Sequence, residues 1–83
     1  MSGEEVVAHL QKGEERLAAG DVAVARLYFE RVAESGDPRG ATGMARTYDA
    51  EVLARLPVIG LTPDPDAARR WSERAKTLEA AIR

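Results

Sequence analysis

Arg39, Thr42 and Arg46 stand three, four and seven positions apart, the spacing that brings side chains onto one face of a helix. A guanidinium presents its N–H donors as a planar fork that matches a carboxylate, so this set suits an acidic stretch of a partner protein. The competing reading is a solvated face on which the arginines pair with Glu14, since exposed ion pairs contribute little. Residues for covalent or acid–base catalysis are sparse. The chain has one histidine, His9, and no cysteine, so no cysteine–histidine pair can form. A hydrolase-type enzyme using His9 with Glu14 or Asp49 is the remaining alternative of that class, and no constellation fills the geometric roles it requires.

The other polar clusters have plainer explanations. Asp64 and Asp66 resemble a fragment of a calcium loop, but that loop needs several more oxygen ligands at fixed spacing, and helix capping accounts for both. Glu4-Glu5 and Glu14-Glu15 are adjacent acids that point to different parts of a helix surface, so neither forms a two-carboxylate site. The glycines between Gly36 and Gly43 lack both a preceding strand and a following Gly-Lys-Ser/Thr, which a phosphate-binding loop needs. Gly40 and Gly43 read instead as positions of close helix contact. No metal, cofactor or small-molecule substrate is expected.

Charge excludes two further classes of partner. Twelve basic and fourteen acidic side chains are dispersed along 83 residues, giving a net charge of -2 with no polybasic block. Nucleic acids and anionic membranes both select clustered lysine and arginine, so neither is an expected ligand. The longest apolar run, Leu56 to Leu61, is too short for a membrane span and contains Pro57 and Gly60. The acidic start, Ser2-Gly3-Glu4-Glu5, differs from a basic secretory leader, so a cytoplasmic location is expected.

The elements that must position these residues are helices around a single core. At 9.0 kDa one domain, residues 1–83, is expected to bury roughly 60–65% of its extended-chain surface. Ser2 and Glu5 have the spacing of a capping box at the start of a first helix, whose apolar stripe is Val6, Leu10, Gly13 and Leu17. Gly20 stops it. Asp21 caps a second helix with the stripe Val22, Ala25, Phe29 and Val32, widened by Val24 and Tyr28, and Gly36 ends it. Asp37-Pro38 opens a third helix running to about Tyr48, and Asp64-Pro65 opens a fourth main helix carrying Ala68, Trp71, Ala75, Leu78 and Ile82. Asp66–Arg70 and Arg69–Glu73 are its expected charge pairs. Trp71 reads as core, and its loss to alanine is expected to cost about 3–5 kcal/mol. Between the last two helices lie a short helix and an ordered loop, whose Val58, Ile59 and Leu61 are expected to fold back onto the core.

Sliding the second helix onto the last matches Asp21 with Asp64, Ala25 with Ala68, Tyr28 with Trp71, Arg31 with Arg74 and Val32 with Ala75 at one offset. This reads as two repeated helix pairs, about 4–36 and about 37–83, the second carrying an insertion over 49–63. Met44-Ala45-Arg46-Thr47-Tyr48, Ala25-Arg26-Leu27-Tyr28-Phe29-Glu30-Arg31 and Asp66-Ala67-Ala68-Arg69-Arg70-Trp71 resemble the signature segments of tetratricopeptide-like repeats, the Sel-like subfamily in particular, which is common in bacteria. Departures fall at Ala45 for glycine, Ser72 for an aromatic and Lys76 for alanine. The resemblance implies an all-α, right-handed stack of antiparallel helix pairs that serves as an interaction scaffold. It also implies a groove lined by the first helix of each pair. Gln11 and Glu14 would then adjoin Arg39, Thr42 and Arg46 as partner-binding residues for a protein or peptide, with self-association or a spacer role as the alternative.

Overall fold

In the computed structural model, which describes residues 1–83, the chain is all-helical: α1 (Gly3–Ala18), α2 (Val22–Glu34), α3 (Pro38–Arg46), α4 (Ala50–Ala54) and α5 (Pro65–Ala81). Every helix start uses a side-chain oxygen to satisfy a backbone N–H that the helix itself leaves free. Ser2 Oγ accepts from Glu5 N–H while Glu5 accepts from Ser2 N–H, both at 3.1 Å. Asp37, Asp49 and Asp64 accept from Arg39, Val52 and Ala67 N–H at 2.9, 3.1 and 3.0 Å. Asp21 makes a longer bond, 3.4 Å, to Val24 N–H.

Gly20 and Gly36 end α1 and α2 with φ of 85° and 95°, a conformation that costs glycine nothing and most other residues a good deal. Asp21 N–H reaches back to Arg16 O, and Asp37 N–H to Val32 O, closing the wide turn of a left-handed helix cap. Links as short as residues 19–21 and 35–37 force neighbouring helices to run antiparallel, and α1 packs on α2, α2 on α3, and α3 on α5. The smallest extent of the molecule, 14 Å, matches roughly two helix layers with axes 8–10 Å apart.

Phe29 of α2 is the fully buried centre of the core. A Cβ at Gly13 of α1 would lie 2.6 Å from Phe29 Cε1, and one at Gly43 of α3 would lie 2.5 Å from Phe29 Cδ1. The ring therefore occupies the space that two missing side chains leave on opposing helices. Gly40 brings α3 still closer to α2: a Cβ there would sit 2.2 Å from the Ala33 nitrogen and 2.5 Å from the Phe29 carbonyl oxygen. Leu17, Val22, Ala25, Met44 and Leu53 complete the cluster around Phe29.

The structure departs from expectation in four places. The third helix stops at Arg46, two residues before the expected end at about Tyr48, and Arg26 of α2 bonds the turn that follows it. Arg26 Nε donates to Thr47 Oγ1 at 3.0 Å, Nη2 donates to Thr47 O at 2.8 Å, and the guanidinium lies 3.9 Å from the centre of the Tyr48 ring. On α5 the buried alanine is Ala67, while Ala68, Trp71, Ala75 and Leu78 are half-buried and Ile82 is exposed. Trp71 thus borders the core, since α5 packs chiefly on α3 whereas α2 is covered by α1 and α3 together.

The loop is only partly folded back. Leu61 packs on the core and Val58 rests against Gly20, but Ile59 is 99% exposed. The loop's ends are nonetheless pinned, by Asp64 N–H donating to Tyr48 O at 3.0 Å. Last, the expected charge pairs on α5 are replaced by Asp66–Arg69 at 2.9 Å, which leaves Arg70 and Glu73 outside any ion pair.

Candidate functional site

Arg39, Thr42 and Arg46 emerge from one face of α3, as their spacing predicts, and that face looks across an open cleft at α1. The cleft encloses about 320 Å³ and is lined by Leu10 and Glu14 of α1, by the three α3 residues, and by Glu79 of α5. Gln11 lies just along α1, in an adjoining depression with Val7, Glu15 and Arg39. All five residues singled out from the sequence therefore share one surface. Gly43 forms part of the floor, where its missing side chain serves Phe29 below.

Both guanidiniums are already engaged within the chain. Arg39 grips Asp37 with two bonds, Nε to Oδ1 at 3.1 Å and Nη2 to Oδ2 at 2.7 Å. These bonds hold the Asp37 carboxyl below its ordinary range and hold the Arg39 guanidinium charge more firmly still. Asp37 thus does two jobs, capping α3 by accepting from the Arg39 N–H and fixing the Arg39 side chain. Arg46 Nη1 donates to the Glu14 carboxylate, tying α3 to α1 across the cleft. Glu79 accepts from Arg83 Nη2 at 3.3 Å. The cleft is accordingly close to charge-balanced, with each cation matched by a carboxylate of its own chain.

His9 is occupied elsewhere. Its Nδ1–H donates to Glu5 O at 2.8 Å, because a carbonyl can only accept, and its ring meets Tyr28 edge-on at 5.6 Å between centroids. Its two suggested partners are engaged too: Glu14 bonds Arg46 and Asp49 bonds the Val52 N–H. No group of three or more histidine, cysteine or acidic side chains is arranged to hold a metal ion, and no helix is long and apolar enough to cross a membrane.

Sequence reasoning misses two features of this surface. The Asp37–Arg39 clamp has a local signal, an N-cap aspartate two residues before an arginine. Glu79 has none, because its place at the cleft follows from how α5 crosses α3. A second depression, on α5 itself, is bordered by Arg70, Trp71, Arg74 and Thr77. No protein-family model, curated protein or solved structure matches the chain.

Proposed function

We propose that this chain is a protein-interaction module, a pair of tetratricopeptide-like helix hairpins that offers the α1–α3 cleft to a segment of a partner protein in the cytoplasm. The observation that carries the reading is the convergence of Gln11, Glu14, Arg39, Thr42 and Arg46, from two helices distant in sequence, on one open and exposed cleft. Leu10 gives it an apolar floor, and the arginines keep free N–H donors beyond those bonded to Asp37 and Glu14. A specific interface generally buries about 800 Å² per partner, so the cleft would be the centre of a larger contact. Arg39→Ala with Arg46→Ala is the direct test. Capture of partner proteins from the source cell should fall about tenfold or more while the circular-dichroism spectrum stays native. Undiminished capture by a folded double variant removes the cleft from consideration.

Self-association is the second reading, and one observation favours it. Ile59 is 99% exposed at a loop tip, with Val58 beside it at 39%, and Leu27 stands out from α2 at 62%. Val58 and Ile59, adjacent in the loop, offer apolar surface for a second copy to cover. Sedimentation over a range of concentrations should then reveal a dimer that Ile59→Ser abolishes. A monomer at every concentration excludes it.

A further inference from the structure

We infer that the face of α5 formed by Arg70, Trp71 and Arg74 is a docking site for an acidic peptide segment with an apolar residue beside its acids. Recognition of acidic chemistry then falls to this face in place of the cleft, within the interaction-module reading on which it rests. The arginines of the chain differ in how they are engaged. Arg39 and Arg46, in the cleft, are each bonded to a carboxylate of their own chain. Arg70 and Arg74 take part in no ion pair, because Asp66 turns to Arg69 and Glu73 reaches neither of them.

Arg70 and Arg74 stand one helical turn apart on the same face. Neither guanidinium is held by a carboxylate of the chain, so both are free to meet an anion from outside. Beside them is the chain's single tryptophan, half-buried, with the Arg74 guanidinium 5.9 Å from the centre of its ring. Thr77 closes the end of the depression, its hydroxyl donating to Glu73 O at 3.2 Å. Two unpaired forks for carboxylates beside an indole for a neighbouring aliphatic group make a complementary surface for an acidic-apolar peptide. The lack of a basic block favours a short acidic peptide over a nucleic acid or an anionic membrane, which select clustered cations.

Trp71 is also the reporter. A short synthetic peptide of aspartate and glutamate carrying one leucine should change its fluorescence saturably, and more weakly as salt is raised. Arg70→Ala with Arg74→Ala should raise the dissociation constant about tenfold, as losing two exposed charge-assisted contacts implies. Arg39→Ala with Arg46→Ala should leave it unchanged, and circular dichroism should report native helix in both variants. A dissociation constant sensitive to Arg39 and Arg46 alone overturns this assignment and leaves the cleft reading in place. No saturable change, equal binding of the peptide with its acids amidated, or tighter binding of an RNA oligonucleotide or anionic vesicles each overturns it as well. Failure here leaves the capture experiment on the cleft to be judged separately.

Discussion

The helices α2 and α5 carry related sequence patterns, yet one forms the centre of the molecule and the other its margin. Along α2, Val22, Ala25, Phe29, Val32 and Ala33 are all buried, because α1 covers one side and α3 the other. Along α5 only Ala67 is buried, and Trp71, a larger side chain than Phe29, stays half-exposed. Part of the difference lies in the stripe, since Ser72 and Lys76 of α5 stand where α2 has the buried Phe29 and Ala33. The rest lies in the opposing helices, where Gly13, Gly40 and Gly43 remove side chains so that α2 can be gripped from both sides. Burial in this chain is set by the small residues facing a helix as much as by its own large ones.

Gly40→Ala breaks that grip most severely. The added methyl would meet backbone atoms of Ala33 and Phe29 at 2.2 and 2.5 Å, and backbone cannot swing aside as a side chain can. Alanine's better helix propensity returns only about 1 kcal/mol, so a net loss of about 3 kcal/mol or more is expected. In so small a domain that leaves much of the chain unfolded, as urea melts would record. Gly43→Ala meets the Phe29 ring instead and should cost less than Gly40→Ala. Equal losses would mean that the ring is as immovable as the backbone.

Trp71→Ala tests the other side of the contrast. A fully buried tryptophan would lose about 3–5 kcal/mol, and the half-burial of this one brings the expectation to about 2 kcal/mol. A loss matching that of Phe29→Ala would show that α5 belongs to the core as fully as α2 does.

Much of this fold is legible in short stretches of sequence. The caps at Ser2, Asp21, Asp37 and Asp64 and the stops at Gly20 and Gly36 are local devices, decided within a few residues, and all fall where their residue types place them. The α3 face with Arg39, Thr42 and Arg46 is equally local, a matter of helical period. The features that sequence does not disclose are decided at a distance. The turn after α3 is held by Arg26, twenty-one residues from Thr47 along the chain, and Glu79 joins the cleft from another helix. The exposure of Ile59 runs against its hydropathy, which expresses what a side chain prefers, whereas the pinned loop determines where it points.

Arg26→Ala probes the distant kind of restraint. It removes two hydrogen bonds to Thr47, which is fully buried, and the stacking on Tyr48, for an expected loss of about 1–2 kcal/mol. Arg26→Lys should recover little of it, because an ammonium cannot bond Thr47 with the same fork while lying flat on the ring. Full recovery in a urea melt would assign the effect to charge alone.

The smallest expected effect separates local electrostatics from packing. Asp37 is held below its usual 3.8 by Arg39, so its ionised form is favoured by folding. Its contribution is complete above the unfolded value and fades as pH falls through the lower folded one, so the window opens near the ordinary carboxylate range and extends below it. Glu5, lowered by its bonds to Ser2, titrates in the same direction, so the wild-type curve alone cannot isolate Asp37. Asp37→Asn can. The variant should be less stable than the wild type at pH 7 by under about 1 kcal/mol, since the Arg39 guanidinium is well exposed, and the gap should close on acidification. A gap that persists unchanged at pH 2 would mean that Asp37 acts through the shape of its cap and not through its charge.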